Sequence, residues 1–320
     1  MIARNHHFLS QCYLKGFAQF PKKPKLYVTD IKERKTFSTH PENIAAIRDF
    51  HRIEVEGIRP DFLETELSKF ETQLAEALSR IIAARSISNE ADSIILLNFV
   101  ALVAVKNPRW RQSMTRAYTQ TAKIWMDMIT ATPQRWAASL KRARGEGYPD
   151  ELADISYEEA RKFVDEKQYE IAIPNNRHLR TELSAFETAL QLLYKRRWLL
   201  LKAPPKATGF ITSDHPMCLM WQRPRPGLSG PGLGLKDTQV IFPISNELAM
   251  VGTFEGQNGE MDAPATLIAA TNGIIAAHAE RQVYARDREF QYIVSGDGWT
   301  MKRGTGLLND ERFARSNASR

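Results

Sequence analysis

The sequence contains few cysteines: only Cys12 and Cys218 occur among its 320 residues. The two residues stand far apart in the chain, and each has apolar neighbours. Secreted proteins that rely on disulfides usually need a denser set of cysteines than this. The cysteine content therefore argues against a disulfide framework and predicts a reducing compartment.

Long hydrophobic runs are also absent. The longest apolar segment, residues 94–105, ends at Lys106 and is shorter than the roughly 18 residues that a membrane span needs. It predicts a buried helix of a globular protein. Residues 1–20 lack the apolar core of a signal peptide. We therefore expect no membrane segment and a cytoplasmic location.

Several common catalytic motifs have no counterpart in the chain. It contains no Walker A phosphate loop, no Gly-x-Gly-x-x-Gly after a strand, no His-Glu-x-x-His and no Cys-x-x-Cys pair. The Gly-x-Ser-x-Gly turn that presents a nucleophilic serine is missing as well. These absences remove the usual sequence evidence for a nucleotide-binding enzyme, a zinc protease or a serine hydrolase.

Basic residues outnumber acidic ones, which gives a net charge of +7 and a pI near 9.3. Such a balance favours an anionic partner, either nucleic acid or a nucleotide. No long basic run concentrates the charge, so a basic protein without such a partner fits the composition equally well.

Three regions of different character follow one another. Residues 1–58 contain a predicted strand pair, residues 59–197 are helical, and residues 198–302 combine strand-length apolar runs with a late helix. This order predicts an α+β fold, in which the helical block packs with a mixed, mostly antiparallel C-terminal sheet and a small N-terminal strand pair. We expect one composite domain over 1–302 and a flexible tail over 303–320.

The spacing of apolar residues predicts the individual elements. A short amphipathic helix precedes Gly16, and Asp61 is the expected N-cap of a long helix, with Glu64 completing a capping box. Further helices are predicted at 90–116 (broken at Pro108), 119–130, 133–144, 156–167, 176–197 and 263–279. Strands are predicted at 26–29, 35–39, 52–55, 198–202, 209–213, 239–243, 248–254 and 282–285.

Polar residues near the N-terminus form the first candidate site. His7 lies just before or within the first predicted helical turn, where a neutral imidazole can act as a general base or bind a metal. A capping or half-buried histidine without a function fits the same position. His6 is expected to face solvent.

Two glutamates share one face of the long helix because seven residues separate them. Glu64 and Glu71 stand about 10 Å apart along the axis, too far for one metal ion but close enough to line one cleft. Glu71 lies beside the apolar stripe, so we assign it to catalysis or metal binding. The simpler alternative makes both surface acids, with Glu64 serving only the capping box.

A helix break at Pro108 is flanked by two polar candidates. The guanidinium of Arg109 suits bidentate recognition of phosphate, and Asn107 is a candidate substrate contact beside it. The alternative is a structural kink in which Arg109 pairs with a nearby acid.

A buried strand is predicted to end at three polar residues, Ser213, Asp214 and His215. Neighbouring strand residues point to opposite faces, so the three do not form a catalytic triad among themselves. Asp214 is the candidate metal ligand or acid–base group, Ser213 a candidate substrate contact, and His215 has no expected role. Alternatively, Ser213 and Asp214 only bind turn amides ahead of Pro216.

Short motifs follow one another in order along the chain. Residues 7–17 contain His-Phe-Leu-Ser before Tyr-Leu-x-x-Phe, and an alanine-containing turn ends in Asp-Phe-His at 49–51. The later motifs are Leu63-Glu64 with Glu71, Trp198, Ser213-Asp214-His215-Pro216 and Phe242-Pro243. Their order over about residues 5–290 resembles a bacterial and phage family, the domain of unknown function 4238 (DUF4238).

The resemblance includes two departures and implies little chemistry. The family has a proline at the position of Ser10 and a tyrosine at that of His51. Its first motif supports a function for His7, and its arginine after the second long helix supports one for Arg109. The family name carries no established activity, so the resemblance implies an arrangement of motifs and no mechanism.

Basic charge and the candidate residues together predict a metal-assisted hydrolase of a phosphate-bearing substrate, with a phosphodiesterase or nuclease favoured. His7 would be base or ligand, and Arg109 would hold a phosphate. Glu71 and Asp214 would bind Mg²⁺ or Mn²⁺ or act as acid–base groups. The alternative is a non-catalytic binding or regulatory module, and a role as a toxin or phage-defence effector is compatible with either.

Overall fold

The structure, a computed structural model, describes most of the chain. The described residues are 4–146, 155–167, 169–223, 225, 230–294 and 300–315, with the side chains of 314 and 315 excluded. The segments 145–149 and 223–234, whose glycine and proline residues predict loops, lie partly outside these residues. The end of the predicted tail, 316–320, lies wholly outside them.

The chain divides into two compact units. The larger comprises residues 1–109 and 179–320, and the smaller comprises residues 110–178. Every described strand belongs to the larger unit, whereas the smaller unit is helical. A single composite domain stays a prediction.

Two strand pairs lie near the N-terminus. The expected pair is present as β2 (Leu26–Asp30) and β3 (Lys35–Thr39), which run antiparallel. A second antiparallel pair, which the sequence patterns did not predict, joins β1 (Asn5–His7) to β4 (Ala46–Arg48). Residues 41–47, whose sequence suggests a helical turn, contain only a 3₁₀ segment at Pro41–Asn43, and the strand predicted at residues 52–55 is not formed.

The later strands contribute to two main sheets. The later strands are β5 (Arg197–Lys202), β6 (Thr212–Ser213), β7 (Cys218–Trp221), β8 (Thr238–Pro243), β9 (Leu248–Thr253), β10 (Gly259–Asp262) and β11 (Gln282–Ala285). The five-stranded sheet has the order β10-β5-β9-β8-β7 and is mixed, because β10 runs parallel to β5. The antiparallel order β3-β2-β11-β6 unites the N-terminal pair with the C-terminal strands. The predicted α+β class is confirmed.

The helices follow the predicted order with one revision. They are α1 (Gln11–Lys15), α2 (Phe62–Ala84), α3 (Glu90–Val105), α4 (Pro108–Ile129), α5 (Pro133–Gly145), α6 (Tyr157–Glu166), α7 (Asn175–Tyr194) and α8 (Ala265–His278). The predicted break at Pro108 is present, and Pro108 begins α4 because proline at the first helical position loses no intrahelical hydrogen bond. The revision is that α4 continues through residues 117 and 118, where the sequence predicted a gap between two helices. No single described helix is long and apolar enough to cross a membrane, although α3 and α4 pass that test as a broken pair.

An aromatic core fixes the N-terminal segment against the sheets. The Tyr13 ring on α1 lies 5.1 Å from that of Phe99 on α3 and 5.4 Å from that of Phe242 on β8. Its buried hydroxyl donates to the Pro243 carbonyl at 2.9 Å and is 2.7 Å from Thr212 Oγ1. Helix α1 therefore holds the polar residues that precede it in one defined place.

The predicted tail is folded as far as the structure describes it. β13 (Met301–Arg303) pairs with β12 (Gln291–Ile293), and a 3₁₀ segment and the short helix α9 (Glu311–Arg315) follow. The buried Phe313 ring lies 5.9 Å from that of Tyr292. Phe313 is an apolar residue in an otherwise polar segment, and it anchors the segment because burial removes its aromatic surface from water.

Candidate functional site

A cluster of ionisable side chains lies in the larger unit where β1 meets the long helices. It contains three histidines, two carboxylates and one lysine: His6, His7, His51, Glu64, Glu71 and Lys106. Pairing of β1 with β4 directs its alternate side chains to opposite faces. His6 is consequently 2% exposed and His7 is half-buried. The expectation that His6 faces solvent was wrong.

His6 and His51 are held together by stacking and by a hydrogen bond. Their ring centroids are 5.3 Å apart with an interplanar angle of 9°. The backbone amide of His51 donates to Nδ1 of His6 at 2.8 Å. The turn after β4 therefore brings His51 to a histidine 45 residues earlier in the chain.

His51 also links a lysine to a glutamate. Its Nε2 lies 3.1 Å from Lys106 Nζ, and its Nδ1 lies 2.6 Å from Glu64 Oε2. An ammonium group only donates, so Nε2 accepts and Nδ1 carries the proton that is shared with Glu64. Lys106 Nζ also donates to the His7 carbonyl at 3.3 Å.

The surroundings keep His51 neutral and Glu64 ionised. Burial, assisted by the charge of Lys106, lowers the pKa of His51 to about 3. Burial alone raises the pKa of Glu64, but the hydrogen bond from His51 and the nearby positive charge of Lys106 bring it below the usual value. The predicted capping box is absent: Asp61 forms no side-chain cap, and its carboxylate pairs with Arg59.

Three of these side chains have the arrangement of a metal site. One ligand atom from each of His6, His51 and Glu64 lies within 4.8 Å of the others. A tetrahedral ion with bonds of about 2.1 Å sets its ligands about 3.4 Å apart. His51 Nδ1 and Glu64 Oε2, at 2.6 Å, would therefore have to move apart slightly to bind one. An ion on Nδ1 of His51 displaces the proton now shared with Glu64.

His7 and Glu71 lie beside this group, since the charges of both Glu71 and Glu64 act on the imidazole of His7. Gln11 Nε2 is 3.0 Å from His7 Nε2, and Ser10 Oγ donates to Glu71 Oε1 at 2.6 Å. Burial lowers the pKa of His7, while the charges of Glu71 and Glu64 act in the opposite direction. His7 therefore carries a largely neutral imidazole that can accept a proton near a carboxylate.

The structure gives Asp214 a different set of partners. Its carboxylate accepts from the backbone amides of Glu280, Arg281 and Gln282 at 2.8, 2.8 and 2.9 Å. Burial raises the pKa of Asp214 to about 6, although these three hydrogen bonds lower it. Among the described residues, no hydrogen bond, ion pair or electrostatic interaction links Asp214 to His7.

The reason for this placement is strand pairing. β6 lies beside β11, so the end of β6 meets the turn that leads into β11. Ser213 is fully buried and its Oγ accepts from the amide of His215 at 3.2 Å. Ser213 and Asp214 thus bind the amides of turns, which is the alternative that the sequence offered to a catalytic or substrate-binding role.

Asn107 and Arg109, which flank Pro108 at the start of α4, have hydrogen bonds to other parts of the larger unit. Asn107 is 1% exposed, and its Nδ2 donates to the Val103 and Ala104 carbonyls at the end of α3. Arg109 Nη1 donates to the His278 carbonyl at 3.4 Å. Burial, with the charges of Arg109 and His278, lowers the pKa of His215 to about 3. Arg109 therefore acts near the Ser-Asp-His-Pro segment.

Sequence reasoning missed His6, His51 and Lys106 as members of the site. The alternation of a strand at residues 5–7 would have turned His6 inward, but three residues are too few to show a period. Lys106 is 6% exposed and ends an apolar helix, where a cation ordinarily reaches solvent. Its partners lie 55 and 99 residues away, so no local pattern identifies them.

Comparison with known proteins gives a family and no activity. Neither a curated protein nor a solved structure matches the chain. A family model described as a protein of unknown function (DUF4238) matches residues 5–289. That match covers both the His7 cluster and the Ser-Asp-His-Pro segment, and the chain belongs to the DUF4238 family.

Proposed function

We propose that the protein is a metal-assisted hydrolase of a phosphate-bearing substrate, with nucleic acid the favoured class. The observation that carries the proposal is the meeting of His6, His51 and Glu64, whose ligand atoms lie within 4.8 Å of one another. In this proposal they hold the divalent ion in place of Glu71 and Asp214. Two imidazoles and one carboxylate suit Zn²⁺ or Mn²⁺ better than Mg²⁺.

His7 supplies the general base in this proposal. Its lowered pKa keeps the imidazole neutral near pH 7, and the nearby charge of Glu71 favours the imidazolium that forms. A divalent ion held by His6, His51 and Glu64 would supply Lewis-acid chemistry, which polarises a phosphoryl oxygen and lowers the pKa of water. The water oxygen bonds to phosphorus and its proton passes to His7. The bond to the leaving oxygen breaks, and that oxygen takes a proton from solvent.

The cellular setting is part of the same proposal. Cys12 and Cys218 are free thiols, which fits action in a reducing cytoplasm. Cleavage of nucleic acid in a bacterial cell also fits a toxin or phage-defence effector. Neither setting changes the residues or the chemistry that the proposal assigns.

Hydrolysis of single-stranded DNA, RNA and cyclic nucleotides in the presence of Zn²⁺, Mn²⁺ or Mg²⁺ tests the proposal. We expect His7→Gln to lower turnover by about 100-fold or more, the usual scale for loss of a general base. Its melting temperature should stay near that of the wild type, because His7 is half-buried and glutamine can keep a hydrogen bond to the Gln11 side chain.

His40→Gln is the matched control. His40 is also half-buried, and its Nδ1 lies 2.8 Å from the Pro24 carbonyl, outside the cluster. The control should keep full turnover. Absence of turnover by the wild type with every ion and substrate contradicts the proposal, as does equal turnover by His7→Gln and the wild type.

A second candidate function rests on the burial of the cluster. His51 is 1% exposed, and both its ring nitrogens are engaged, as expected of a polar network that stabilises a core. In a non-catalytic binding or regulatory module, these contacts and those of Asp214 serve the fold. His7→Ala and Asp214→Ala would then lower the melting temperature together with ligand binding, and the wild type would show no turnover.

A further inference from the structure

The excess positive charge of the protein resides in two consecutive helices. Helices α4 and α5 together contain eight Lys and Arg residues and a single acid, Asp127. The whole chain has 44 basic and 37 acidic residues, so the rest of it has 36 of each and no net charge. No long basic run reveals this, because apolar and neutral residues separate most of the basic ones and only Lys141 and Arg142 are adjacent.

Large apolar side chains are exposed on the same pair of helices. Ile124, Trp125 and Met128 are between 52% and 56% exposed on α4. A groove of about 450 Å³ runs along the pair in the smaller unit. It is lined by Trp125, Met128 and Ile129 from α4, and by Arg135 and Arg142, with small residues between them, from α5. The spacing of three, four and seven residues places each set on one helix face.

The two arginines of the groove have little local neutralisation. Arg142 faces Glu146 at 4.0 Å, and this pair is highly exposed, so water and salt screen it. Arg135 Nη1 lies 3.5 Å from the Met128 carbonyl, which places its guanidinium at the α4 side of the groove. The groove therefore combines an exposed indole with two guanidinium groups.

We infer that the α4–α5 groove binds single-stranded nucleic acid. Guanidinium groups recognise phosphates bidentately, and an exposed indole stacks on an unpaired base, whose face a duplex would cover. Charge complementarity favours this occupant, since the excess charge of the chain lies on these helices. An anionic membrane is less favoured, because helices that lie on membranes separate their cationic and apolar faces, whereas here both line one groove.

Fluorescence anisotropy with a labelled oligothymidylate and the full chain in EDTA tests the inference. Chelation removes metal-dependent cleavage, so this result is independent of the proposed hydrolase. We expect Trp125→Ala to weaken binding about tenfold, the scale of one base–aromatic stack. The double variant Arg135→Gln/Arg142→Gln should reduce the slope of log K against log salt by about 1.4, for two lost phosphate contacts.

The double variant Arg34→Gln/Arg288→Gln is the matched control. It removes the same charge from exposed positions of the larger unit, and Arg288 also faces a neighbouring glutamate. Affinity and salt slope should equal those of the wild type. The inference is overturned if the wild type does not bind at low salt, or if the groove variants bind as the control does. Binding to phosphatidylserine vesicles without oligonucleotide binding, or equal competition by polyglutamate, overturns it as well.

Discussion

A neutral histidine between a lysine and a glutamate is the residue-scale feature on which the proposed site depends. Lys106 and Glu64 carry opposite charges, and His51 connects them through its two ring nitrogens. The arrangement satisfies the polar atoms of a 1%-exposed imidazole without charging it. The same arrangement brings Nδ1 of His51 and the carboxylate of Glu64 to one place, where a metal ion can replace the shared proton.

His215 provides a residue-scale prediction about pH. Its folded pKa is about 3, below the ordinary value of 6.5, so the unfolded chain binds a proton in that window that the folded chain does not. Stability contributed by the neutral form is therefore lost as pH falls from about 6.5 towards 3. Relative to His215→Asn, the free energy of unfolding of the wild type should fall by up to about 1.4 kcal/mol for each unit by which the pH is lowered.

Urea denaturation of both proteins across this window measures the effect. The neighbouring Asp214, whose pKa is raised to about 6, changes stability in the opposite direction but remains present in both proteins. The difference between them therefore isolates His215. A gap in unfolding free energy that stays constant with pH contradicts the assignment.

Arg196, just after α7, ties that element to the five-stranded sheet. It is 3% exposed, and its two terminal nitrogens donate to the carbonyls of Thr238, Gly252 and Leu233 and to the Thr238 hydroxyl. The guanidinium also lies 4.3 Å from the ring centre of Phe254. One side chain thus joins the end of a helix to β8, β9 and the loop before them.

Arg196→Lys should therefore be destabilising although it keeps the charge. A lysine does not reproduce the planar fork, and carbonyls left unsatisfied in the core cost about 2–4 kcal/mol in total. The neighbouring exposed residue gives the control, since Arg197→Lys should change the unfolding free energy by less than about 0.5 kcal/mol. Equal melting curves for the two variants would show that the fork is dispensable.

Sequence patterns predicted elements well where the signal was local. Gly16 ends α1, and β2 pairs with β3, as the turn and strand signals indicated. The patterns failed where a long-range partner decided the outcome. Glu64 fits a capping box within its own helix, yet a buried histidine 13 residues earlier takes its carboxylate. The sequence around Asp214 fits either a metal ligand or a carboxylate that binds turn amides. The pairing of β6 with β11 brings the amides of the turn to Asp214, and this long-range contact is not visible in the local sequence.

At the scale of the whole molecule, charge and candidate chemistry occupy different parts of the chain. The candidate metal ligands His6, His51 and Glu64 belong to the larger unit. Helices α4 and α5, which carry the excess positive charge, belong mostly to the smaller unit. The net charge of +7 therefore describes two helices and not the whole surface. We expect salt to weaken nucleic-acid binding at those helices, whereas metal binding should depend on three buried or half-buried side chains.

Calorimetric titration of the metal-free protein with Zn²⁺ and Mn²⁺ tests the central claim most directly. The wild type should bind one ion, and Glu64→Gln, at a side chain that is 29% exposed, should bind it at least about tenfold more weakly. Glu71→Gln, on the same helix, should retain wild-type affinity. No binding by the wild type, or equal affinities for Glu64→Gln and Glu71→Gln, would contradict a metal site at His6, His51 and Glu64.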